Sequence, residues 1–451
     1  MSESRHKPAT AVIAGLGRTG LSCARYLRTH GWRIAVTDTR LAPPGLTALR
    51  ALDPRIEVRT DGLDVALLDE AVCVVASPGL ALDLPFFVEA RRRGLEVFGD
   101  VELFARAAAA PVAGITGTNG KSTVTTLLGR MAERAGVQVR VGGNLGEPAL
   151  DLLGAAERAD RPTELYVLEL SSFQLDTTQS LHLKAAAVLN VSADHLDRYA
   201  SIEAYALSKA HIFERCDTAV VNLDDPLVRR MTRAGQRTLG FSVSGAAQAT
   251  YGLLDLGDRW LARHGEPLLP LASMRLRGLH NAANALAALA LGEALELPMA
   301  AMVEELREFP GLAHRSQWVG EVAGVTYIND SKGTNVGATL AAVSGLDGPL
   351  VLIAGGEGKN QDFAPLAAAL RGKTRHVVLI GRDAPRLAHA LEGVCALETC
   401  ESMDAAVHAA AHAAHAGDTV LLSPACASLD MFQDYAHRGE TFAAAVQGLG
   451  S

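Results

Sequence analysis

The chain has 451 residues, a formal net charge of −8 at pH 7 and 49% hydrophobic residues. That length exceeds what one core serves, so two to four domains are expected. The acidic balance excludes a nucleic-acid backbone as the main partner, no apolar run is long enough for a membrane span, and the scattered cysteines, without a Cys-x-x-Cys pair, suggest neither a zinc site nor a disulfide framework.

Met1–Pro8 is polar and lacks the apolar segment of a signal peptide, so a soluble cytoplasmic protein is expected. Ala9–Ala14 reads as a short strand. It is followed by Gly15-Leu16-Gly17-Arg18-Thr19-Gly20 and a helical pattern to His30. Arg33–Thr37 reads as a second strand ending at Asp38. A Gly-x-Gly-x-x-Gly turn with an acid about twenty residues on is the dinucleotide fingerprint, and taken alone it suggests an NAD enzyme. Ala71–Ala76 is a further strand ending in Ser77-Pro78-Gly79, a turn signal. Arg91-Arg92-Arg93 reads as a solvated helix face. The first domain is expected to span residues 1–100.

Residues 114–123, Gly114-Ile115-Thr116-Gly117-Thr118-Asn119-Gly120-Lys121-Ser122-Thr123, are the most informative run. An apolar stretch precedes them, and Val124–Met131 reads as a helix. A strand, a glycine turn and a helix that begins Lys-Ser make a phosphate-binding loop. Backbone N–H groups and the helix N-terminus face the phosphates, Lys121 bridges the outer ones, and the Ser122 hydroxyl can reach a magnesium ion. One departure stands out: Ile115 occupies a position where the usual spacing has glycine.

Beyond the loop, Leu165–Leu170 reads as a strand ending near Glu169, and Ala185–Val191 as another, followed by Asp194-His195-Leu196-Asp197-Arg198. Glu203–Glu214 reads as a helix and Thr218–Asn222 as a strand. Alternating strands and helices imply a mostly parallel sheet covered on both faces. Ligands gather beyond strand ends in such sheets, which places Glu169 as a magnesium ligand beside Ser122. For an isolated histidine a structural role is the commoner outcome, and the strand-end location makes a site role for His195 about as good. Lys209, inside a helix, reads by default as a surface lysine.

Pro310-Gly311 marks the next boundary, giving domains 101–310 and 311–451. Val325–Asn329, Leu350–Ala354, His376–Ile380 and Thr419–Ser423 are strand-like, with Ala-rich helices such as Ala405–Ala416 between them. Three polar or glycine-rich turns follow these strands: Asn329–Asn335, Gly355–Lys359 and Ser423–Ser428. Together they define one crevice, where Lys332 and Lys359 suit an anionic substrate. The fold class is α/β throughout: two Rossmann-like units flank a central phosphate-loop unit.

At this point the motifs resemble those of the Mur ligases, ATP-dependent amide-forming enzymes of peptidoglycan precursor synthesis. The resemblance spans nearly the whole chain. It rests on the Thr118–Thr123 loop, Leu168–Leu175, Asp194–Tyr199, Asn329–Asn335 and Leu422–Asp430. It accounts for Ile115, and it points to the member that adds D-glutamate to UDP-N-acetylmuramoyl-L-alanine. It implies that the first glycine turn holds the UDP end of that substrate, with Arg18, Thr19, Thr39, Arg40 and Gly79 lining the pocket and Asn144 and Gln174 reaching in from the central domain. It implies ATP held by Gly117, Thr118, Asn119, Gly120, Lys121, Ser122 and Thr123, with Asn281 and Asn284 at adenine and Arg315 and Asp330 across the cleft. It implies two Mg2+ ions, one on Ser122 and Glu169 and one on His195 and a carbamylated Lys209. Lys121, His195, Lys209 and Lys332 would be catalytic. Thr334, Lys359, Ser428, Leu429 and Tyr435 would form the glutamate pocket. The family often has Phe at the position of Tyr435. The implied reaction passes through an acyl phosphate, the third domain is expected to close about Pro310–His314, and a monomer acting on small molecules is expected. Two other enzyme readings remain, an NAD-dependent oxidoreductase and a folate-type polyglutamate ligase, the latter without a first glycine-turn domain. A nucleotide-sensing scaffold with a degenerate ATPase is the non-enzyme alternative.

Overall fold

The computed structural model describes residues 10–276, 278–346 and 348–449; Met1–Pro8, and Ala9 of the first expected strand, lie outside the described residues. Three sheets follow one another along the chain. The first contains β1 (Thr10–Ala14), β2 (Arg33–Thr37), β3 (Glu57–Arg59), β4 (Ala71–Ala76) and β5 (Glu96–Phe98), all parallel in the order β3-β2-β1-β4-β5. The helix Arg18–Thr29 leaves the first glycine turn directly. Gly20 is required there: a Cβ would sit 1.9 Å from the Gly15 carbonyl oxygen.

The second sheet is built from β6 (Val112–Thr116), β7 (Val139–Gly143), β8 (Leu165–Glu169), β9 (Leu183–Val188), β10 (Cys216–Asn222), β11 (Arg237–Phe241), β12 (Tyr251–Asp255), β13 (Arg259–Arg263) and β14 (Glu266–Pro270). Its order is β14-β13-β12-β11-β10-β9-β6-β8-β7. The strands from β6 to β12 are parallel, while β12–β13 and β13–β14 are antiparallel. This antiparallel edge departs from the expected strand–helix alternation. Its tight turn His264-Gly265, with φ of +49° and +79°, has the hairpin geometry usually written Asn-Gly, so the sequence carries no obvious hairpin mark. Two expected elements end early. The strand Ala185–Val191 stops at Val188, because residues 190–192 turn aside to bond the phosphate loop. The helix Glu203–Glu214 is α-helical over Ile202–Ala210 and tightens into a 3-10 turn over His211–Phe213.

The third sheet contains β15 (Gln317–Val322), β16 (Val325–Asn329), β17 (Leu350–Gly355), β18 (Thr374–Ile380), β19 (Ala396–Thr399) and β20 (Thr419–Leu422), ordered β15-β16-β20-β17-β18-β19. Only the β15–β16 pair is antiparallel among the described residues. Because β16, β20 and β17 are neighbours, the three turns expected to form one crevice do emerge side by side.

The cores divide unevenly. One apolar cluster runs without a break from the first sheet (Ile13, Val36, Phe98) through Phe104 of the helix Asp100–Ala107 into the second (Tyr166, Leu168, Leu183). A second cluster fills the other face of the central sheet, where Ile115, Val124 and Leu127 meet the almost wholly buried helix Leu279–Ala294. The third sheet has its own clusters on both faces. Apolar packing therefore joins the first two units, while the third is tied on largely by polar contacts. Arg91–Arg93 lie exposed, as a solvated face would: Arg92 and Arg93 pair with Glu89 and Asp69, and Arg91 donates to the Leu82 carbonyl. The six cysteines are free, and Cys23, Cys73 and Cys426 are buried.

Ile115 is fully buried on a strand whose neighbours are core side chains, so the position belongs to the sheet rather than to the loop. Ile115→Ala is expected to cost about 3 kcal/mol of stability, seen as a lower urea midpoint; an unchanged midpoint would remove this position from the core.

Candidate active site

The strand-to-helix turn after β6 begins at Gly117 and ends at Gly120, whose φ of +83° is left-handed. A Cβ at Gly120 would fall 2.4 Å from Asn284 Oδ1, so glycine is needed both for the backbone and for the approach of Asn284. Asn190 pins the turn: its carbonyl accepts from the Thr118 N–H at 2.9 Å and its side-chain oxygen from the Asn119 N–H at 2.8 Å. Lys121 folds back and donates to the carbonyls of Gly117 (2.8 Å) and Thr118 (2.9 Å).

Glu169, at the end of β8, is 3% exposed. One carboxylate oxygen accepts from the Ser122 hydroxyl at 2.5 Å, and the other accepts from Asn144 Nδ2 at 2.7 Å. Arg315, from the segment before β15, donates to the Ser122 oxygen at 2.7 Å. A cleft of about 310 Å³ opens beside this point. Asn119, Gly120, Thr123, Asn281, Asn284, Arg315, Asp330 and Lys332 all line it, so most of the expected nucleotide residues converge on one space.

The electrostatics are unusual. Burial pushes Lys121 and Arg315 below their ordinary values, and burial next to Arg315 brings Lys332 down to about 8. Burial raises the Asp330 carboxyl to about 6, although Ser423 donates to it at 2.8 Å. Lys209 is not a surface residue: it is 1% exposed. Burial and then the nearby Lys121 hold it well below the ordinary lysine value. Its amine donates to the Gly117 carbonyl at 3.1 Å and lies 4.3 Å from the centre of the Tyr205 ring.

His195 follows β9 in a left-handed turn with φ of +54°, costly for a non-glycine residue. Its ring packs edge-on to Phe173 at 5.0 Å, and burial lowers its pKa. No three His, Cys, Asp or Glu side chains gather as a ready-made metal site among the described residues. Ser122 and Glu169 do offer adjoining oxygen donors, which suits magnesium. His195 with Lys209 fits a cation only once the ammonium has become an oxygen-bearing group.

The first unit has a cleft of its own, the first cleft along the chain, of about 420 Å³ at the first glycine turn. Arg18, Thr19, Thr39, Arg40, Gly79, Asn144 and Gln174 line it, bringing together every residue expected there. Asp38 accepts from the Leu16 N–H at 2.6 Å and from Arg40 through its backbone and guanidinium at 2.7–2.8 Å. Burial opposes ionisation of Asp38, but Arg40 and these N–H groups outweigh it and hold the carboxyl at about 2. The acid that a dinucleotide ribose would use is thus occupied within the turn, and Arg40 presents a fixed cation to the cleft.

The glutamate-pocket residues are less gathered. Lys332 lies 3.8 Å over the Tyr435 ring, Ser428 is buried and Thr334 half-buried. Lys359 is exposed in a left-handed turn and faces Lys332 and His195 electrostatically. Leu429 is 68% exposed.

Several residues that sequence reasoning passed over hold this arrangement. Asp100, buried at the start of the helix Asp100–Ala107, accepts from Gln174 Nε2 at 3.2 Å. Arg438, fully buried, donates to Ser331 Oγ, to the Ser331 carbonyl and to the Cys426 carbonyl, joining two of the three turns of the third sheet. His280 lines the nucleotide cleft, and burial takes it to about 4. Only the bare polarity of such residues in apolar runs could have flagged them.

Known proteins place this geometry in context. Residues 9–99 match the Mur ligase MurD-like N-terminal domain, 115–292 the Mur ligase middle domain and 314–426 the Mur ligase glutamate ligase domain. The UDP-N-acetylmuramoylalanine--D-glutamate ligase of Methylococcus capsulatus is 50% identical over 97% of this chain and 94% of its own. That of Nitrosococcus oceani is 52% identical over 98% and 97%, and that of Pseudomonas aeruginosa 50% over 97% and 98%. Among solved structures, a pseudomurein peptide ligase type C from Methanothermus fervidus aligns at TM-score 0.62 with 17% identity, covering 98% of this chain and all of its own. A UDP-N-acetylmuramate-alanine ligase from Thermotoga maritima aligns at 0.61 with 18% identity and the same coverage. These last two likenesses concern the fold alone.

The buried amine of Lys209 makes a stability prediction. With its folded pKa below the unfolded value of about 10.4, the unfolded chain binds more protons in that window, so wild-type stability rises with pH toward 10.4. Lys209→Met is expected to be more stable than wild type near pH 7 in bicarbonate-free buffer, with the gap closing near pH 10. Urea titrations at the two pH values check this, and a constant gap would contradict it.

Proposed function

The chain belongs to the Mur ligase family, and we propose that within it this protein joins D-glutamate to UDP-N-acetylmuramoyl-L-alanine at the expense of ATP, in cytoplasmic peptidoglycan precursor synthesis. The observation that carries the reading is the meeting of two clefts on Glu169: Asn144 of the first cleft and Ser122 of the phosphate loop bond the same carboxylate. A substrate with its UDP end against Arg40 and Gly79 would present its far carboxylate beside Lys121.

That carboxylate attacks the γ-phosphate, giving an acyl phosphate and ADP. Lys121 and Arg315, both poorly solvated, stabilise the charge that develops on the transferring group. Lys332, stacked on Tyr435 at the mouth of the third unit, meets the incoming amino acid or the phosphate next to it. The amine of D-glutamate then attacks the acyl carbon, and the tetrahedral intermediate collapses to amide and phosphate. His195, kept neutral by burial, suits either a metal-ligand role or acceptance of the amine proton.

Ser122 and Glu169 would hold one Mg2+, and His195 with carbamylated Lys209 a second. Such ions supply charge neutralisation around the phosphates. Burial favours the uncharged amine of Lys209, the form that reacts with carbon dioxide, which supports its carbamylation. The domain limits 1–100, 101–310 and 311–451 form part of the proposal, with UDP, ATP and glutamate functions in that order. Gly311, His314 and Ser316, all left-handed, lie in the connection to the third unit, which supports closure there. No helix among the described residues is long and apolar enough to cross a membrane. We take the working form to be a monomer.

Phosphate release from ATP with UDP-N-acetylmuramoyl-L-alanine is expected with D-glutamate and not with L-glutamate. Turnover with L-glutamate alone would keep the ligase mechanism and overturn the assigned amino acid, and no turnover with either would overturn the reading. Glu169→Gln is expected to lower kcat about 100-fold or more, with unchanged binding of the UDP substrate by calorimetry.

A further inference from the structure

We infer that Arg198 is a positioning residue that couples the occupancy of the first cleft to the placement of the His195 turn; this deepens the reading of the first cleft as the UDP-sugar site and rests on it. Arg198 belongs to the loop after β9, in the central unit. Its guanidinium reaches the first unit, donating to the Gly79 carbonyl at 3.2 Å and the Leu80 carbonyl at 3.1 Å. Gly79 and Leu80 line the first cleft. Two N–H groups from one planar fork on consecutive carbonyls fix both the position and the orientation of that turn.

The other side of the guanidinium is held as well. It lies 4.5 Å over the Phe173 ring, and Tyr199 stacks on the same ring at 5.7 Å with an interplanar angle of 3°. Phe173 sits in the short helix Ser172–Leu175 next to Gln174, another lining residue of the first cleft. Within the loop, the Arg198 and Tyr199 N–H groups both donate to the His195 carbonyl, at 2.9 and 3.1 Å. Arg198 thus ties the backbone of a left-handed His195 to the backbone of the Ser77–Leu80 turn.

A strained residue keeps its conformation only when its surroundings over-determine it. Here those surroundings include a contact from another unit. A ligand that orders the Ser77–Leu80 turn therefore also orders the His195 turn, although it does not touch it. The sign is positive: the first ligand makes placement of the reactive group easier.

UDP alone is the probe, because it can fill the first cleft without extending to His195. In wild type, saturating UDP is expected to slow amide hydrogen exchange by about threefold or more both in residues 77–80 and in residues 195–199. In Arg198→Met, which keeps the apolar stem, residues 77–80 should respond and residues 195–199 should not. Arg198→Lys, with a cation over Phe173 but no fork, should fall between. In turnover assays Arg198→Met should raise KM for the UDP substrate about tenfold, lower kcat, and leave KM for ATP unchanged. An equal response of residues 195–199 in Arg198→Met and wild type would overturn the coupling. So would a parallel rise in KM for ATP. No response of residues 77–80 in wild type would overturn the first-cleft reading and this inference together.

Discussion

One buried carboxylate ties the phosphate loop, the cleft at the first glycine turn and the third unit to a single point of the central sheet. Glu169 stands at the end of β8 with Asn144 on one oxygen and Ser122 on the other, and Arg315 of the third unit reaches the same Ser122. A charge removed from water at 3% exposure is tolerable only with full hydrogen bonding and nearby cations. Lys121 and Lys209 lie close by, and both share the Gly117 carbonyl. The neighbourhood therefore holds more buried cationic groups than carboxylates to balance them. A polyphosphate with its counter-ions is the natural complement to such a space, because it replaces the water that each amine lost.

The packing sets the third unit apart from the other two. The first and second sheets share one continuous apolar cluster, so relative motion there would open a core. The third unit has separate cores and touches the centre through Arg315 on Ser122, Asn335 on Asp194 and Ser316 on His280. Polar contacts of this kind exchange with water at modest net cost. The apolar side chains thus bind the first two units into one core and leave the third with cores of its own.

Much of this was legible in the residue pattern, for a physical reason. Turns that bind phosphate need glycine at set offsets, and strand ends in a parallel sheet face one way, so Gly117–Ser122 and Glu169 stand out, while Asp194–His195 stays evenly balanced between a site and a structural role. The long apolar strands stand out too. What stayed hidden depends on partners far apart in the chain. Lys209 looks like any helical lysine until the fold seals it against Tyr205. Asp100 and Gln174 are 74 positions apart, and Arg198 meets Gly79 across 119. No local period encodes such meetings. The β12–β14 edge was missed because its tight turn uses His-Gly in place of a more familiar pair.

Ile115 has a consequence beyond stability. A strand residue packed against Val124 and Leu127 links the start of the phosphate loop to the helix that the loop opens. The geometry of Gly117–Lys121 is in this way an outcome of core volume as much as of loop residues. Genetic suppressors of a defective loop should accordingly arise among silent-looking aliphatic positions beneath it, and substitutions tolerated at those positions should be ones that preserve their combined bulk. The catalytic loop and the hydrophobic interior would then evolve as one inherited unit.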